Sequence, residues 1–288
     1  MCIVPASPIT ANYPGSELPP VCTLTIAWQV FDAAPIVVAA NRDEALDRPS
    51  ARPAVYATDP VVVAPRDARA GGTWIGISEH DCFVGITNRW TDATLAGDRS
   101  RGQLVADVLS RPSAAAGRSM VERAVRADEY EGFNLVLADR DGAFCLEWDG
   151  ELHVTSFEPG VHVVVNTGFD DHVDTGVPPE RRDVAAQQAE NARAVSSALT
   201  VDPEDTTGGS DWVGWLERAR EVLADHDYGV CIHEDGYGTR SSSLIAAGPW
   251  GRAYAFADGP PCRTPYRPVD ARGVTVRSAL EAALEGHL

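Results

Sequence analysis

The sequence predicts an α+β fold in which helices and sheets form separate layers. Short runs with the alternation of β-strands dominate from Cys22 onward, whereas helical periodicity is concentrated in the middle and at the end of the chain. This order favours segregated layers over an alternating parallel sheet. The 288 residues are compatible with one domain, because layered sheet folds reach this length without splitting.

The first predicted strand begins at Cys22, where Leu24, Ile26 and either Trp28 or Val30 alternate with polar residues. Further strands are predicted at residues 36–40, 61–64, 73–77, 82–87, 133–138, 143–148, 162–165, 228–233, 243–247 and 253–256. Several consecutive pairs of these predicted strands are close enough in sequence to form hairpins.

Helices are predicted at residues 102–109, 120–126, 181–199, 212–223 and 278–284. Residues 200–210 are predicted to loop out, and residues 259–268 to form a proline-rich crossing. Residues 1–20 hold five prolines and are expected to be a disordered or misassigned extension, with residues 21–288 as the single domain.

The charge of the chain is strongly negative, with 42 acidic residues, 24 basic residues and a formal net charge of −18. Every basic residue is Arg. This surface is typical of a protein from a GC-rich halophile, since molar salt screens the repulsion between carboxylates. The arginines are scattered and form no basic stripe, so nucleic acid and anionic membranes are not expected as partners.

The six cysteines lie at irregular spacings without a CxxC pair, and are expected to be reduced thiols. We find no secretory leader and no apolar run approaching the ~20 residues that cross a bilayer. The sequence therefore predicts a cytoplasmic protein that acts on a small molecule. Its oligomeric state is not predicted.

Ordered motifs carry a resemblance to a known family. They are Cys22 to Trp28, Asn41-Arg42-Asp43-Glu44, Arg48-Pro49, Gly71-Gly72-Thr73-Trp74, Ile86-Thr87-Asn88, Arg101-Gly102, Gly132-Phe133-Asn134-Leu135 and Tyr237-Gly238-Thr239-Arg240. In this order they resemble the NRDE family, also called the transport and Golgi organisation 2 family. The resemblance implies a four-layer αββα sandwich of the N-terminal-nucleophile hydrolase type.

In such folds the first residue of the mature chain performs the chemistry. Its thiol attacks a carbonyl carbon, and its free α-amine, with a reference pKa near ~7.7, accepts the proton. The resemblance assigns this role to Cys22. Met-Cys, the usual start of family members, occurs instead at Cys2, but the prolines after Cys2 would spoil a central strand. We therefore expect the chain to begin at Cys22, through a start at the codon of Val21 or through removal of a propeptide.

The resemblance also places Arg42 and Asp43 beside the thiol. A cation there favours the thiolate, and a carboxylate can orient the amine. The alternative is a surface ion pair, with Asn41 and Glu44 satisfying a tight turn.

Asn88 and Asn166 each follow an apolar strand, where an amide could donate to the oxyanion of a tetrahedral intermediate. Either residue could instead close a turn, and Asn134 is expected to be structural. Arg240 could bind a substrate carboxylate, steady the nucleophile, or pair with one of the many acids.

Metal binding is not predicted. Two groups, Cys231, His233, Glu234 and Asp235, and Asp170, Asp171, His172 and Asp174, lack a recognised ligand spacing and are expected to be surface loops.

The leading functional hypothesis is a cysteine amidohydrolase that cleaves a non-peptide C–N bond and needs no cofactor. Eukaryotic members of the resembled family are associated with secretory organisation, lipid metabolism and haem trafficking, without an agreed reaction. The alternative hypothesis is therefore a carrier of haem or of an acyl-type metabolite.

Overall fold

Two antiparallel sheets form the centre of the protein in the computed structural model, which describes residues 22–173, 176–201 and 211–271. The strands are β1 (Thr23–Phe31), β2 (Ala34–Ala45), β3 (Ser50–Thr58), β4 (Val61–Asp67), β5 (Ile75–Ser78), β6 (Phe83–Asn88), β7 (Phe133–Ala138), β8 (Ala143–Trp148), β9 (Leu152–Ser156), β10 (Gly160–Val165), β11 (Gly168–Phe169), β12 (His172–Val173), β13 (His233–Glu234), β14 (Tyr237–Gly248), β15 (Gly251–Ala257) and β16 (Arg267–Pro268). The helices are α1 (Arg101–Leu109), α2 (Ala114–Ala127), α3 (Arg182–Leu199) and α4 (Trp212–Ala224).

The first sheet has the order β12-β11-β10-β1-β2-β14-β15-β16, with β13 paired to β14. Its central hairpin, β1 and β2, opposes Thr23 to Asn41 and Leu24 to Ala40. This register places the start of β1, and therefore Cys22, beside the Asn-Arg-Asp-Glu run near the end of β2. Strand β14 flanks β2 on the other side and opposes Thr239 to Asp43.

The second sheet is a meander in which β3 to β9 follow one another in chain order. Strands that are neighbours in sequence pair most readily, because short connections leave little loop to close. Helices α1 and α2 lie between β6 and β7 in sequence, and they cover the outer face of this sheet.

Three apolar clusters define the layers. One lies between the sheets, where Leu24 and Ile26 of β1 pack with Phe83 and Val136 of the second sheet. Another joins the outer face of the first sheet to α3 and α4, and its largest fully buried side chain is Trp215. The third joins the second sheet to α1 and α2. The predicted four-layer αββα sandwich is thus confirmed.

The predicted strand at residues 228–233 is wrong in its extent. Residues His226–Tyr228 form a 3-10 turn that ends at Gly229 with φ +65°, a left-handed conformation that interrupts an extended chain. Only His233 and Glu234 are in a strand. Strand β3 was not predicted, because it is an exposed edge strand whose apolar residues do not alternate.

Some predicted segments fall outside the described residues. They are the extension at residues 1–20, most of the loop at residues 200–210, and the helix at residues 278–284. Among the described helices, none combines the length and the apolar character needed to cross a bilayer.

Candidate active site

A cleft of about 280 Å³ opens between the two sheets at the start of β1. Cys22, Arg42, Asp43 and Asn88, four of the six predicted site residues, line it. A fifth, Asn166, lies behind the cleft and contacts Cys22. The hairpin register brings the first three together, and β6 of the second sheet carries Asn88 to the same opening.

The thiol of Cys22 lies at the edge of the cleft, with Sγ 3.7 Å from the main-chain oxygen of Asp43. Burial raises the pKa of this thiol to about 12, and the negative charge of Asp43 adds to the effect. Arg42 lowers the pKa, as predicted for a cation beside a thiol, but its influence is the smaller one. The thiol is therefore protonated at neutral pH, and an attack by its sulfur would require a base.

The main-chain nitrogen of Cys22 is held by Asn166. It donates to Oδ1 of Asn166 at 2.8 Å, and the same oxygen accepts from Nε2 of Gln188 at 2.9 Å. Nδ2 of Asn166 donates to the main-chain oxygen of Asn88 at 2.7 Å. Two donors face one end of the side-chain amide, and an acceptor faces the other end. These partners determine which end is the oxygen and which is the nitrogen.

This network adds a contact that the role predicted for Asn166 did not include. One N–H of its NH₂ group donates to the main-chain oxygen of Asn88, and its Oδ1 accepts from the main-chain nitrogen of Cys22. Asn166 thus holds the nitrogen of Cys22 in place, and its predicted donation to an oxyanion stays a prediction. Asn88 keeps its side chain at the cleft wall, where it can donate to an oxyanion.

Asp43 is 1% exposed, and only one of its two carboxylate oxygens accepts a hydrogen bond from the described residues. Its Oδ1 accepts from the hydroxyl of Thr239 at 2.5 Å, while Oδ2 has no hydrogen-bond partner among the described residues. Burial raises the pKa of this carboxyl well above its ordinary value, against the opposing effects of Thr239 and Arg42. A buried carboxylate oxygen without a donor is costly, and a free amine at Cys22 could supply that donor.

Arg42 is buried and directed along the cleft wall. Its guanidinium lies 4.2 Å from the ring centre of Trp74, and Nη2 is 3.3 Å from Oε2 of Glu44. Nη1 is buried without a partner among the described residues. This arrangement leaves one charged N–H donor unused beneath the cleft wall.

Arg240 does not belong to this cleft, in contrast to two of the three roles considered for it. Its Nη1 is paired with Oδ1 of Asp258 at 3.1 Å. The register between β14 and β2 shifts between Thr239 and Ser241, so Arg240 is the extra residue of a bulge. A bulge redirects the side chain that it carries, and here the outcome is the ion pair with an acid.

Asn134 makes the structural contacts expected of it. Its Nδ2 donates to the main-chain oxygen of Val165 at 2.7 Å and to Oγ1 of Thr87 at 3.2 Å. Its Oδ1 accepts from Nη1 of Arg89 at 3.0 Å. The amide thereby ties β7 to β6 and β10.

Sequence reasoning did not select Arg101 as a site residue, although it lines the cleft. Its Nη1 donates to the main-chain oxygen of Gly132 at 2.7 Å. Two glycines in the sequence, Gly72 and Gly102, could have indicated its position. Their main chains touch, because a Cβ on Gly72 would lie 2.2 Å from the carbonyl carbon of Gly102. This close approach seats the start of α1, and with it Arg101, against the cleft.

Gln188 and Thr239 were also missed as contributors. Gln188 is a buried polar residue on α3. The helical periodicity of the sequence places it on one face of this helix but does not indicate what it contacts. Thr239 occurs in one of the family-like motifs but was not selected as a site residue. The structure shows its hydroxyl donating to Oδ1 of Asp43.

Residues 21–255 match the family described as Transport and Golgi organisation 2. A Transport and Golgi organization protein 2 homolog from Bos taurus is 26% identical over 254 residues, covering 77% of this chain and 88% of the relative. The homolog from Mus musculus is 31% identical over 251 residues with the same coverages, 77% and 88%.

Solved structures with this fold are more distant in sequence. A variant of the conjugated bile acid hydrolase from Clostridium perfringens has a TM-score of 0.52 at 9% identity, covering 89% of this chain and 99% of that one. An N-acylethanolamine-hydrolyzing acid amidase ortholog from Caenorhabditis elegans has a TM-score of 0.50 at 10% identity, covering 78% and 92%. At these identities the likeness concerns the fold.

Proposed function

Because the chain belongs to the Transport and Golgi organisation 2 family and has the fold of N-terminal-nucleophile hydrolases, we propose that it hydrolyses a non-peptide amide bond in a small molecule. One observation carries the proposal. Cys22 stands at the start of β1 with its thiol at a cleft and its nitrogen held 2.8 Å from Asn166. A conjugated bile acid hydrolase and an N-acylethanolamine-hydrolyzing acid amidase share this fold, which is compatible with an acyl–nitrogen bond as the target.

The first step is attack of Sγ of Cys22 on the carbonyl carbon of the substrate. The thiol proton passes to the free α-amine of the same residue, whose nitrogen Asn166 holds. We propose Oδ2 of Asp43, which is buried without a donor among the described residues, as a second acceptor for this amine. The raised pKa of the thiol makes this transfer necessary. The oxyanion that forms accepts a hydrogen bond from the side chain of Asn88.

Collapse of the tetrahedral intermediate breaks the C–N bond. The leaving nitrogen takes the proton from the α-ammonium group, and the acyl group remains on Cys22 as a thioester. Water then attacks the thioester while the α-amine accepts its proton. The products are a carboxylic acid, an amine and the regenerated thiol.

The cleft is balanced in charge. It is lined by four arginines and four carboxylates: Arg42, Arg48, Arg99, Arg101, Asp43, Glu44, Asp67 and Glu131. Most of these pair with one another, as in the 2.7 Å contact of Arg48 with Asp67. Because the charges of the lining balance, we propose a substrate without a large net charge.

The mechanism requires that Cys22 be the first residue. With Val21 attached, the nitrogen of Cys22 is an amide that cannot accept a proton. The test compares protein released with Cys22 at its N-terminus with the full chain, both incubated with a panel of N-acyl amides. Intact-mass spectrometry measures the acyl adduct.

We expect an acyl-thioester on the protein that starts at Cys22, its loss in Cys22→Ala, and its retention in Cys2→Ala of the full chain after processing. Equal labelling of the full chain with Val21 attached would contradict the mechanism.

The second candidate function, a carrier, is favoured by the raised pKa of Cys22, because a protonated thiol without a free amine is a poor nucleophile. Haem fits this cleft poorly, since no histidine of the described residues lines it and Cys22 is the sole thiol there. An acyl-type metabolite suits the carrier hypothesis better. Saturable binding of such a molecule by Cys22→Ala, without turnover by the protein that starts at Cys22, would favour the carrier.

A further inference from the structure

Four metal-ligating side chains meet on the surface beyond α4. They are His226, Cys231, His233 and Cys262, named here the His–Cys cluster. Their ligand atoms all lie within 4.8 Å of one another. The acids that follow His233 in sequence, predicted to group with it, are not members. Instead, Cys262 arrives from the proline-rich crossing, 29 residues further along the chain than His233.

The separations resemble the edges of a small tetrahedron. Nε2 of His233 is 3.6 Å from Sγ of Cys231 and 3.2 Å from Sγ of Cys262. Zinc at about 2.3 Å from sulfur and about 2.0 Å from nitrogen in tetrahedral geometry places such ligands roughly 3.4–3.8 Å apart. His226 completes the set, with its ring centre 5.1 Å from that of His233.

We propose that the His–Cys cluster binds one Zn²⁺ ion as a structural Cys₂His₂ site. Four N and S donors are the set that zinc prefers in closed structural sites. Two thiolates would neutralise the ion, so the site adds no net charge. Cys231 and His233, separated by one residue, supply two ligands from one short segment.

The main chain around the cluster is held in place independently of a metal. The main-chain nitrogen of Ile232 donates to Oγ1 of Thr239 at 2.8 Å. The main-chain nitrogen of Thr239 donates to the main-chain oxygen of Ile232 at 2.9 Å. Nδ2 of Asn41 donates to the oxygen of Val230 at 2.8 Å. The ligands from Cys231 and His233 are therefore presented by a segment already fixed to the central sheet.

The ligand from the crossing is held in a turn. The nitrogens of Arg263 and Thr264 both donate to the oxygen of Pro260, at 3.2 Å and 3.0 Å. A metal at the cluster would join this turn to the segment after α4. Through Ile232 and Thr239, it would also steady the strand that contacts Asp43.

Among the described residues, Arg263 makes a contact with His233 that metal binding must change. Its guanidinium contacts Nδ1 of His233. Coordination through Nε2 requires a proton on Nδ1, so the guanidinium has to turn away. Arg263 is exposed, and its side chain can reach solvent without disturbing the core.

The test uses full-length protein that has been treated with reductant and chelator and then titrated with Co²⁺. We expect one equivalent to bind with thiolate-to-cobalt charge transfer and the intense visible bands of tetrahedral Co²⁺. Zn²⁺ should displace these bands and raise the thermal unfolding midpoint.

Cys262→Ala and His226→Ala alter exposed residues and are expected to fold. Each should weaken cobalt binding at least about tenfold and remove the stabilisation by Zn²⁺. Cys22→Ala and His80→Ala are matched controls, a thiol and an exposed imidazole outside the cluster, and should bind like the unaltered protein. Weak octahedral cobalt spectra for the unaltered protein, or tetrahedral binding retained in Cys262→Ala, would overturn the proposal.

Discussion

At the scale of single residues, Cys22 and Asp43 oppose one another electrostatically. The negative charge of Asp43 raises the pKa of the thiol, while burial raises the pKa of the carboxyl itself. A pair arranged in this way does not produce a resting thiolate. It suits a mechanism in which the thiol loses its proton only as it attacks.

Asp43→Asn separates the two effects of this carboxylate. The neutral amide no longer raises the pKa of Cys22, so more thiolate exists at a given alkaline pH, and alkylation by iodoacetamide at pH 9 should become faster. Acyl transfer by protein that starts at Cys22 should fall by roughly 100-fold, because the amine loses a partner that orients it. Both rates are measured by mass spectrometry.

The stability of Asp43→Asn provides the control. A carboxyl whose folded-state pKa is raised stabilises the fold below its unfolded pKa, and this contribution is lost as the pH rises. Removing the buried charge should therefore leave the unfolding midpoint at pH 7 unchanged or higher, since Oδ1 can still accept from Thr239. A lower midpoint with normal acyl transfer would assign Asp43 a purely structural role.

At the scale of elements, the approach of a loop to the first turn of α1 determines the cleft wall. Gly71 and Gly72 lie in the loop before β5, and Gly102 is the second residue of α1. The nitrogen of Thr73 donates to the oxygen of Gly102 at 3.0 Å. Contact of main chain with main chain leaves no room for a side chain at Gly72.

Gly72→Ala and Gly71→Ala form a matched pair. The first places a Cβ 2.2 Å from a main-chain carbon, which can be relieved only by moving α1, and should destabilise the protein by about 3 kcal/mol or more. The second has φ +77° and nothing within 4 Å, and should cost about 1 kcal/mol of left-handed strain. Urea unfolding measures both. Equal losses would mean that α1 moves away from Gly72 easily.

At the scale of the whole molecule, the net charge of −18 should make the stability of the fold depend on the salt concentration. At 0.1 M salt the screening length is about 10 Å, and at 1 M it is about 3 Å. Salt also weakens exposed ion pairs such as Arg99 with Asp107, but each is worth only ~0–1 kcal/mol. Added salt should therefore stabilise the fold, because relief of the repulsion among the excess acids outweighs the weakening of the exposed ion pairs.

We expect the thermal unfolding midpoint to rise between 0.1 M and 2 M KCl, by about 2–4 °C for each kcal/mol of repulsion relieved. A titration with sucrose, which strengthens burial without screening charge, serves as control. The same midpoint at both KCl concentrations would show that the acidic surface is not adapted to salt.

Much of the fold was predictable because its signals are local. Strand alternation from Cys22 and helical periodicity at α1, α3 and α4 were predicted close to their observed bounds. The ordered motifs indicated the family and its four layers. Cys22, Arg42 and Asp43 could be grouped because a hairpin between consecutive strands brings them together.

The remaining features depend on contacts between distant parts of the chain. Asn166 meets Cys22 across 144 residues, and its Oδ1 accepts from the main-chain nitrogen of Cys22. A bulge in β14 sends Arg240 to Asp258, and the crossing brings Cys262 to His233. Sequence alone determined which chemical groups this protein possesses and which strands carry them. Sheet register, bulges and loop packing decided which groups meet, because these features arise from pairing between segments and leave no periodic trace in either one.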